Sequence, residues 1–467
     1  MNTSSHTKGN LENLSKATNG SSHAITIGGG IAGLLAARVL TDFFDKVTVI
    51  ERDCFAEVPQ PRKGVPQSHH PHVLLVQGQN IIEQLLPGIR QELIRKGALS
   101  LDWAADFRWL LLGNWTPRFS SDIIGCACTR NLLEATVRQF LVNDGKVDIL
   151  EGHQVTGLVS SQSRTSLRGI RVLSSQGKEH EINAQLILDA SGRSSKSPQW
   201  LQHLGYEKPQ ETSVKSFLGY STRWYRNLNR ESQDYKLLYV MPQAPDLTRG
   251  AVMHLVEGDR LLVNLIGVGG DYPPTDEAGF LEFARSLASS EVYKAIVNAE
   301  PISPIYGYRR TDNRLYHYEK LTDLPENFIL LGDAVCAFNP VYGQGISSAA
   351  LGAQVLSQCL QKRGFRTGFS KHFQKQLAKV NHLPWLIATG DDFRWSTTEG
   401  TRPNFLGRLM QRYLDHVMAA ASESADVYHA LVQVLHLLKP PVSLLQPSVI
   451  GRSLLPKKIK SIATNHN

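Results

Sequence analysis

AITIGGGIAGLLAARVLTDFFDKVTVIERD, Ala24 to Asp53, decides the fold class. It opens with residues of strand character, passes Gly28-x-Gly30-x-x-Gly33, runs through an Ala- and Leu-rich helix and a second strand, and ends on Glu51. Each glycine has its own reason. Gly28 admits the tight turn, Gly30 lets the backbone approach a pyrophosphate, and Gly33 lets the helix lie close on the strand. Glu51 falls where a carboxylate would hold the hydroxyls of an adenosine ribose. A glycine triplet alone is a weak signal and could be a structural turn. Inside a complete βαβ unit with an acid at this spacing, it predicts a dinucleotide site.

A second stretch carries the other half of such a site: FILLGDAVCAFNPVYGQGISSAALGAQVL, Phe328 to Leu356. An apolar strand run turns at Gly332-Asp333, crosses a loop containing Pro340, Gly343 and Gly345, and enters an Ala- and Leu-rich helix. A helix N-terminus near Gly345 and Ile346 offers free N–H groups and the positive end of a dipole to an electron-rich partner, such as the pyrimidine edge of a reduced flavin. Asp333 would accept hydrogen bonds from its hydroxyls. The bland alternative is a buried strand, turn and helix.

Between these stretches, Pro61, Pro66 and Pro71 predict an extended loop carrying Arg62, Lys63 and the SHHPH histidines His69, His70 and His72, read as loop residues near a cofactor. A helical stretch with a break at Pro87-Gly88 follows, then strand-like pieces over Phe107–Leu112 and Trp115–Phe119. Thr129 is the expected N-cap of a helix that begins with Arg130. Val147–Leu150 and the runs up to Leu188 read as a β-meander ending on Asp189-Ala190-Ser191-Gly192. From Gly205 the chain becomes richer in aromatics and alternating strands, with a turn at Glu257-Gly258-Asp259, and predicts a separate antiparallel sheet able to wall a substrate pocket. Helices are expected over 369–382, 406–421 and 425–438.

The expected organisation is α/β: a flexible polar tail over 1–22, a discontinuous Rossmann-like FAD-binding domain over 23–204 and 301–363, an inserted antiparallel substrate sheet over 205–300, and a helical C-terminal region over 364–467. A chain of 467 residues has ample length for a cofactor buried between such units, and 42% hydrophobic and 20% charged residues suit a globular enzyme. The net charge of +8 is scattered, with no basic stripe interleaved with aromatics, so nucleic-acid binding is not expected. Five cysteines with no C-x-x-C pair point to a reducing, cytoplasmic setting and, with no second histidine cluster, to no metal site. No apolar run is long enough to cross a membrane. Val427, Leu431, Val434, Leu435 and Leu438 recur at helical spacing ahead of Arg452, Lys457, Lys458 and Lys460. That face either rests on a membrane surface or packs on the substrate domain, the commoner use of a helix of this length.

Taken together, GGGIAG with Glu51-Arg52, the Asp-Ala-Ser-Gly segment and GDAVCAFNPVYGQG resemble the FAD-dependent aromatic hydroxylase superfamily. The RKGVPQ loop, AFNPVYGQG and the ATGDD segment near Thr389 make the closest resemblance the flavin epoxidases of polyether polyketide biosynthesis, relatives of squalene monooxygenase. The resemblance spans Ile25 to about Arg452. It implies a monooxygenase placing one oxygen atom from O2 on an apolar olefinic or aromatic molecule, by epoxidation or hydroxylation in secondary metabolism, with NAD(P)H or a flavin reductase as electron source. It also implies roles for Gly28, Gly30, Ile31, Ala32 and Gly33 at the pyrophosphate, Glu51 at the ribose, Arg52 on the adenine side and Val155 at adenine through its backbone. Arg62, Lys63 and Arg130 would approach the phosphates or flavin, Gly332 and Asp333 the ribityl chain, and Pro340, Gly343, Gln344, Gly345 and Ile346 the isoalloxazine. No acid–base residue is demanded, and none is named as catalytic. Where many of these hydroxylases carry Asp-Gly, this chain has Ser191-Gly192. The W-x-W-x-I-P signature of flavin halogenases is absent, Trp103, Trp109 and Trp115 lying at other spacings. A flavin-dependent reductase of isoprenoid-type chains, or a non-catalytic flavin-binding redox sensor, would share the cofactor residues.

Overall fold

The computed structural model describes residues 21–162, 165–226 and 234–454. All but the last two residues of the expected polar tail, and Lys457, Lys458 and Lys460 of the basic cluster, lie outside the described residues.

The architecture is mixed α/β, as expected. The first βαβ unit folds as read: β1 (His23–Ile27), α1 (Ile31–Leu40) and β2 (Lys46–Ile50). After α2 (Arg130–Asp144), which is capped by the Thr129 hydroxyl accepting the Leu132 N–H, come β3 (Val147–Leu150), β4 (Leu186–Asp189), β5 (Phe328–Leu330) and α3 (Gly345–Arg363). These strands form one parallel sheet in the order β5-β4-β1-β2-β3, so the two segments quoted above meet with only β4 between their strands. The meander is a correction. Val147–Leu150 and Leu186–Asp189 belong to the parallel sheet, and only His153–Ser160, Leu167–Ser174 and Glu179–Asn183 form the antiparallel three-stranded unit. A short apolar run reads alike in either kind of sheet.

The aromatic-rich region builds a seven-stranded sheet around Gly219–Arg226, Leu237–Val240, Arg249–Val256 and Arg260–Gly267. It also draws in Phe107–Leu111, parallel to Leu237–Val240, together with Asn114–Trp115 and Tyr306–Tyr308. The strand expected over Trp115–Phe119 is confined to Asn114–Trp115, and after the sheet's Arg260–Gly267 strand come two helices, Glu277–Arg285 and Glu291–Ile296.

The C-terminal region is helical: α4 (Phe369–Asp392), α5 (Phe405–Ala421) and α6 (Ala425–Leu435). α4 runs ten residues beyond the expected His382 and carries Pro384 inside it. Val427, Leu431 and Val434 of α6 are buried in a cluster with Trp103, Trp109 and Tyr428. Of the two readings of that apolar face, the structure shows the packing one, against the seven-stranded sheet, and no helix among the described residues is long and apolar enough to cross a bilayer.

Small residues let α1 and α3 lie against the sheet and each other. A Cβ on Gly33 would sit 1.9 Å from the Gly28 carbonyl oxygen, and one on Gly352 would sit 2.1 Å from Leu331 Cδ1. Gly33→Ala should therefore cost about 3 kcal/mol, at the upper end of overpacking losses, read as a lower denaturant midpoint. An unchanged midpoint would mean that α1 is free to move off β1.

Candidate functional site

Two helices point uncapped N-termini into one cleft. α1 starts at Ile31 behind an extended Gly30, and α3 starts at Gly345 behind Gln344, neither with a side-chain cap. Their first N–H groups have no helical partner, and these ends line the cleft. The turn at Gly332, with φ +65°, comes so near that a Cβ there would lie 2.8 Å from Ala32 Cβ. The cleft measures about 480 Å³ and continues from these helix ends to a wall made by the seven-stranded sheet.

At the near end, Glu51 is 5% exposed. Its carboxylate accepts the N–H groups of Gly29 at 2.7 Å and Asp53 at 3.0 Å, and pairs with Arg62 at 3.1 Å. Arg62 was expected at the phosphates or flavin, and the structure gives it other partners. Its guanidinium also holds Asp53 at 3.1 Å and Glu134 at 2.7 Å, and donates to the Gly29 carbonyl at 3.3 Å. Burial opposes the Arg62 charge, but Glu134, Glu51 and Asp53 outweigh it and keep the group firmly protonated. Arg62 lines the cleft chiefly as the clamp that fixes Glu51 and its own loop. Arg130 is the freer cation. It stands 3.6 Å from Glu134, its buried Nε has no partner, and its terminal nitrogen is 3.8 Å from where a Gly30 Cβ would be.

Further along, Asp333 lines the cleft half-buried, and its carboxylate accepts no hydrogen bond from the described residues. Gln344 is buried with Oε1 unpartnered. Ile31, Ala32, Arg52, Lys63, Val155, Gly332, Pro340, Gly343, Gly345 and Ile346 all border the same cleft. Gly33 does not. It faces Gly28, so its role is close packing and not the cradling of a ligand.

The residues the sequence reading missed lie on the sheet wall and its neighbours: Tyr220, Val252, Asn264, Ile266, Tyr308 and, on the loop, His70. Cross-strand register puts Tyr220 beside Ile266 and Thr222 beside Asn264 on one face. Period-two alternation was the available signal, but which face meets the cleft is set by distant contacts. Behind the Pro340–Gly345 loop, Tyr342 O–H lies 2.8 Å from Asp392 and 3.1 Å from Asp391, tying the ATGDD segment of α4 to the cleft's floor. Asp391 also pairs with Arg394 at 2.9 Å, whereas the buried Asp392 carboxyl meets the neutral side chains of Asn313, Asn339, Tyr342 and Ser216.

A carboxyl group without a cation in a dry site favours its neutral form. Burial raises Asp392 to about 7. Since the unfolded value is about 3.9, the folded chain holds an extra proton between these limits. The stabilisation it carries is complete below the lower value and is lost as pH rises toward 7. Asp392→Asn should flatten the fall in denaturation midpoint between about pH 4.5 and 7.5; parallel profiles for the two proteins would show that this carboxyl ionises without cost.

No family model matches the chain. Protein Rv3254 of Mycobacterium tuberculosis (strain ATCC 25618 / H37Rv) is 30% identical over 395 residues, 81% of this chain and 82% of that protein. The chain belongs to the family of Protein Rv3254. Among solved structures, a flavoprotein/dehydrogenase from Cytophaga hutchinsonii is similar at 15% identity with a TM-score of 0.67, over 92% of this chain and 96% of that one. The p-nitrophenol 4-monooxygenase PnpA from Pseudomonas putida DLL-E4 is similar at 16% identity with a TM-score of 0.62, over 90% and 98%. The flavin-dependent brominase Bmp2 is similar at 15% identity with a TM-score of 0.61, over 89% and 94%. At such identities the likeness is one of fold. The family member from M. tuberculosis and this chain thus share a fold that solved monooxygenases and halogenases also use.

Proposed function

We propose that the chain is an FAD-dependent monooxygenase that places one oxygen atom from O2 on an apolar olefinic or aromatic small molecule. The observation that carries this reading is a single cleft with unsatisfied polar groups at one end and an apolar, aromatic sheet wall at the other. The residues present fit the dinucleotide. Glu51, already holding Gly29 and Asp53, retains acceptor capacity for a ribose hydroxyl. The N-terminus of α1 and Arg130 would face the pyrophosphate, Asp333 would accept from the ribityl hydroxyls, and the N-terminus of α3 would favour negative charge on the pyrimidine edge. Arg52, Lys63 and Val155 would border the adenosine half, and Pro340, Gly343, Gln344, Gly345 and Ile346 the ring system. Bound FAD would supply the two-electron activation of O2, on electrons from NAD(P)H or a partner reductase. The chain's own work is binding, orientation and the exclusion of water by the sheet wall.

Two observations favour this over its competitors. A redox sensor needs no apolar chamber beyond the cofactor, and the wall of Tyr220, Val252 and Ile266 forms one. Against halogenation, Trp103 and Trp109 are buried between the sheet and α6 and do not border the cleft. The epoxidase branch and the isoprenoid-type reductase share the FAD end and part company only in product. Incubation with ¹⁸O2 separates them: one labelled atom in product is expected, and product without label contradicts the oxygenase.

The two carboxylates differ as probes. The Asp333 side chain makes no hydrogen bond among the described residues, so Asp333→Ala should leave the cofactor-free protein as stable as before while losing a charge-assisted contact of roughly 1.5–3 kcal/mol to FAD, a tenfold or greater fall in affinity. Glu51→Ala removes the partner of Gly29, Asp53 and Arg62 as well, so stability and affinity should fall together. FAD retention unchanged in both variants would remove the assigned site.

A further inference from the structure

At the sheet end of the cleft, three side chains form a line whose hydrogens can be ordered. Thr222 is wholly buried and donates its hydroxyl hydrogen to Asn264 Oδ1 at 2.6 Å. The same hydroxyl oxygen lies 2.7 Å from His70 Nδ1. A hydroxyl has one hydrogen, and this one is committed to Asn264, so the hydrogen between His70 and Thr222 belongs to the imidazole. His70 is 6% exposed, and burial, with His69 beside it, lowers its titration to about 4, which leaves the ring neutral near pH 7. A neutral imidazole protonated at Nδ1 carries its lone pair at Nε2.

His70 Nε2 has no hydrogen-bond partner among the described residues, and neither has the Asn264 amide nitrogen. Both residues border the cleft. The loop that carries His70 is held from several sides. Trp224 Nε1 donates to the His69 carbonyl at 2.8 Å, the His69 ring stacks on Tyr306 at 4.0 Å, and His72 Nδ1 lies 2.9 Å from the His70 carbonyl. Three residues on, Val73 touches Gly343, where a Cβ would approach to 2.8 Å. His70 is thus a fixed acceptor between the Pro340–Gly345 loop and the sheet, and Asn264, tied to it through Thr222, is a donor on the same cleft.

We propose that His70 Nε2 and the Asn264 amide form an acceptor–donor pair that selects a substrate carrying a hydroxyl group, which donates to His70 Nε2, while the Asn264 amide offers a separate donor on the Thr222 side. Such an acceptor discriminates strongly, because an analogue lacking the hydroxyl leaves His70 Nε2 unpaired in a filled cleft. The inference rests on the oxygenase reading for the unsaturated or aromatic part of the molecule and adds its polar handle. No proton is transferred: the substrate keeps its hydrogen and is oriented by it.

The test uses FAD-loaded protein and two matched pairs of probes, 4-propylphenol with its methyl ether and geraniol with its methyl ether, with binding read from perturbation of the flavin absorbance. The wild type should bind the hydroxyl member of at least one pair about tenfold or more tightly than its ether. In His70→Leu the ratio should fall to about one, while His70→Gln, which keeps an acceptor, should restore part of it. A wild-type ratio of one in both pairs, binding of none of the four, or a ratio that survives in His70→Leu overturns the pair. The tautomer gives a second reading that needs no ligand. In ¹⁵N spectra of histidine-labelled wild type, His70 should be protonated at Nδ1, and protonation at Nε2 overturns the proposal even if the variants fail to fold. Protein that takes up no FAD contradicts the oxygenase reading instead and leaves the tautomer measurement to decide this one.

Discussion

The carbonyl of Gly28 and the Cα of Gly33 approach so closely that no side chain fits between them, and the rest of the site depends on that contact. It seats α1 on β1 with its first turn at the strand's carboxyl end, where parallel sheets open their ligand clefts. The second helix reaches the same place by the same means. β5 lies one strand away from β1, and the Gly332 turn touches Ala32 in the first turn of α1. Two uncapped N-termini are thereby brought to one cavity, with their first N–H groups free of helical partners.

Holding acidic residues in such a place needs compensation. Glu51, Asp53 and Glu134 come together around the Arg62 guanidinium, whose planar fork can serve several carboxylates at once. A buried carboxylate without a partner is destabilising by several kcal/mol, so the Pro61–Gly64 loop shapes the cleft through electrostatics, by way of Arg62. Arg130, one turn from Glu134 on α2, keeps a longer contact to it and remains a cation with capacity to spare. At the other end, Tyr342 couples the Pro340–Gly345 loop to a carboxyl pair on α4, so the C-terminal region shapes the cleft floor without lining it.

Much of the near end was legible because its signals are local. Glycine spacing, the acid after the second strand, the Thr129 cap and the helix start at Gly345 each follow from a few consecutive residues, and all but Gly33 and Thr129 of the residues they named border one cleft. Arg62 borders the cleft as well, but its pairing with three carboxylates was hidden, since they come from separate parts of the chain. Val147–Leu150 could not be told from the meander beside it, as short apolar runs carry no mark of parallel or antiparallel pairing. The run of α4 past Pro384 went against a local rule that ends helices before proline. The sheet wall was hidden for a related reason: alternation identified the strands, but only the fold shows that the Tyr220, Asn264 and Ile266 face meets the cleft.

The central claim is that both helix N-termini serve one dinucleotide. Hydrogen–deuterium exchange of the cofactor-free protein with and without FAD tests it most directly, because amides at these termini are unbonded within their helices. Added FAD should slow exchange in 28–34 and in 332–346 together, at one stoichiometry and with one concentration dependence. Protection at one helix end alone, or at neither, would contradict it.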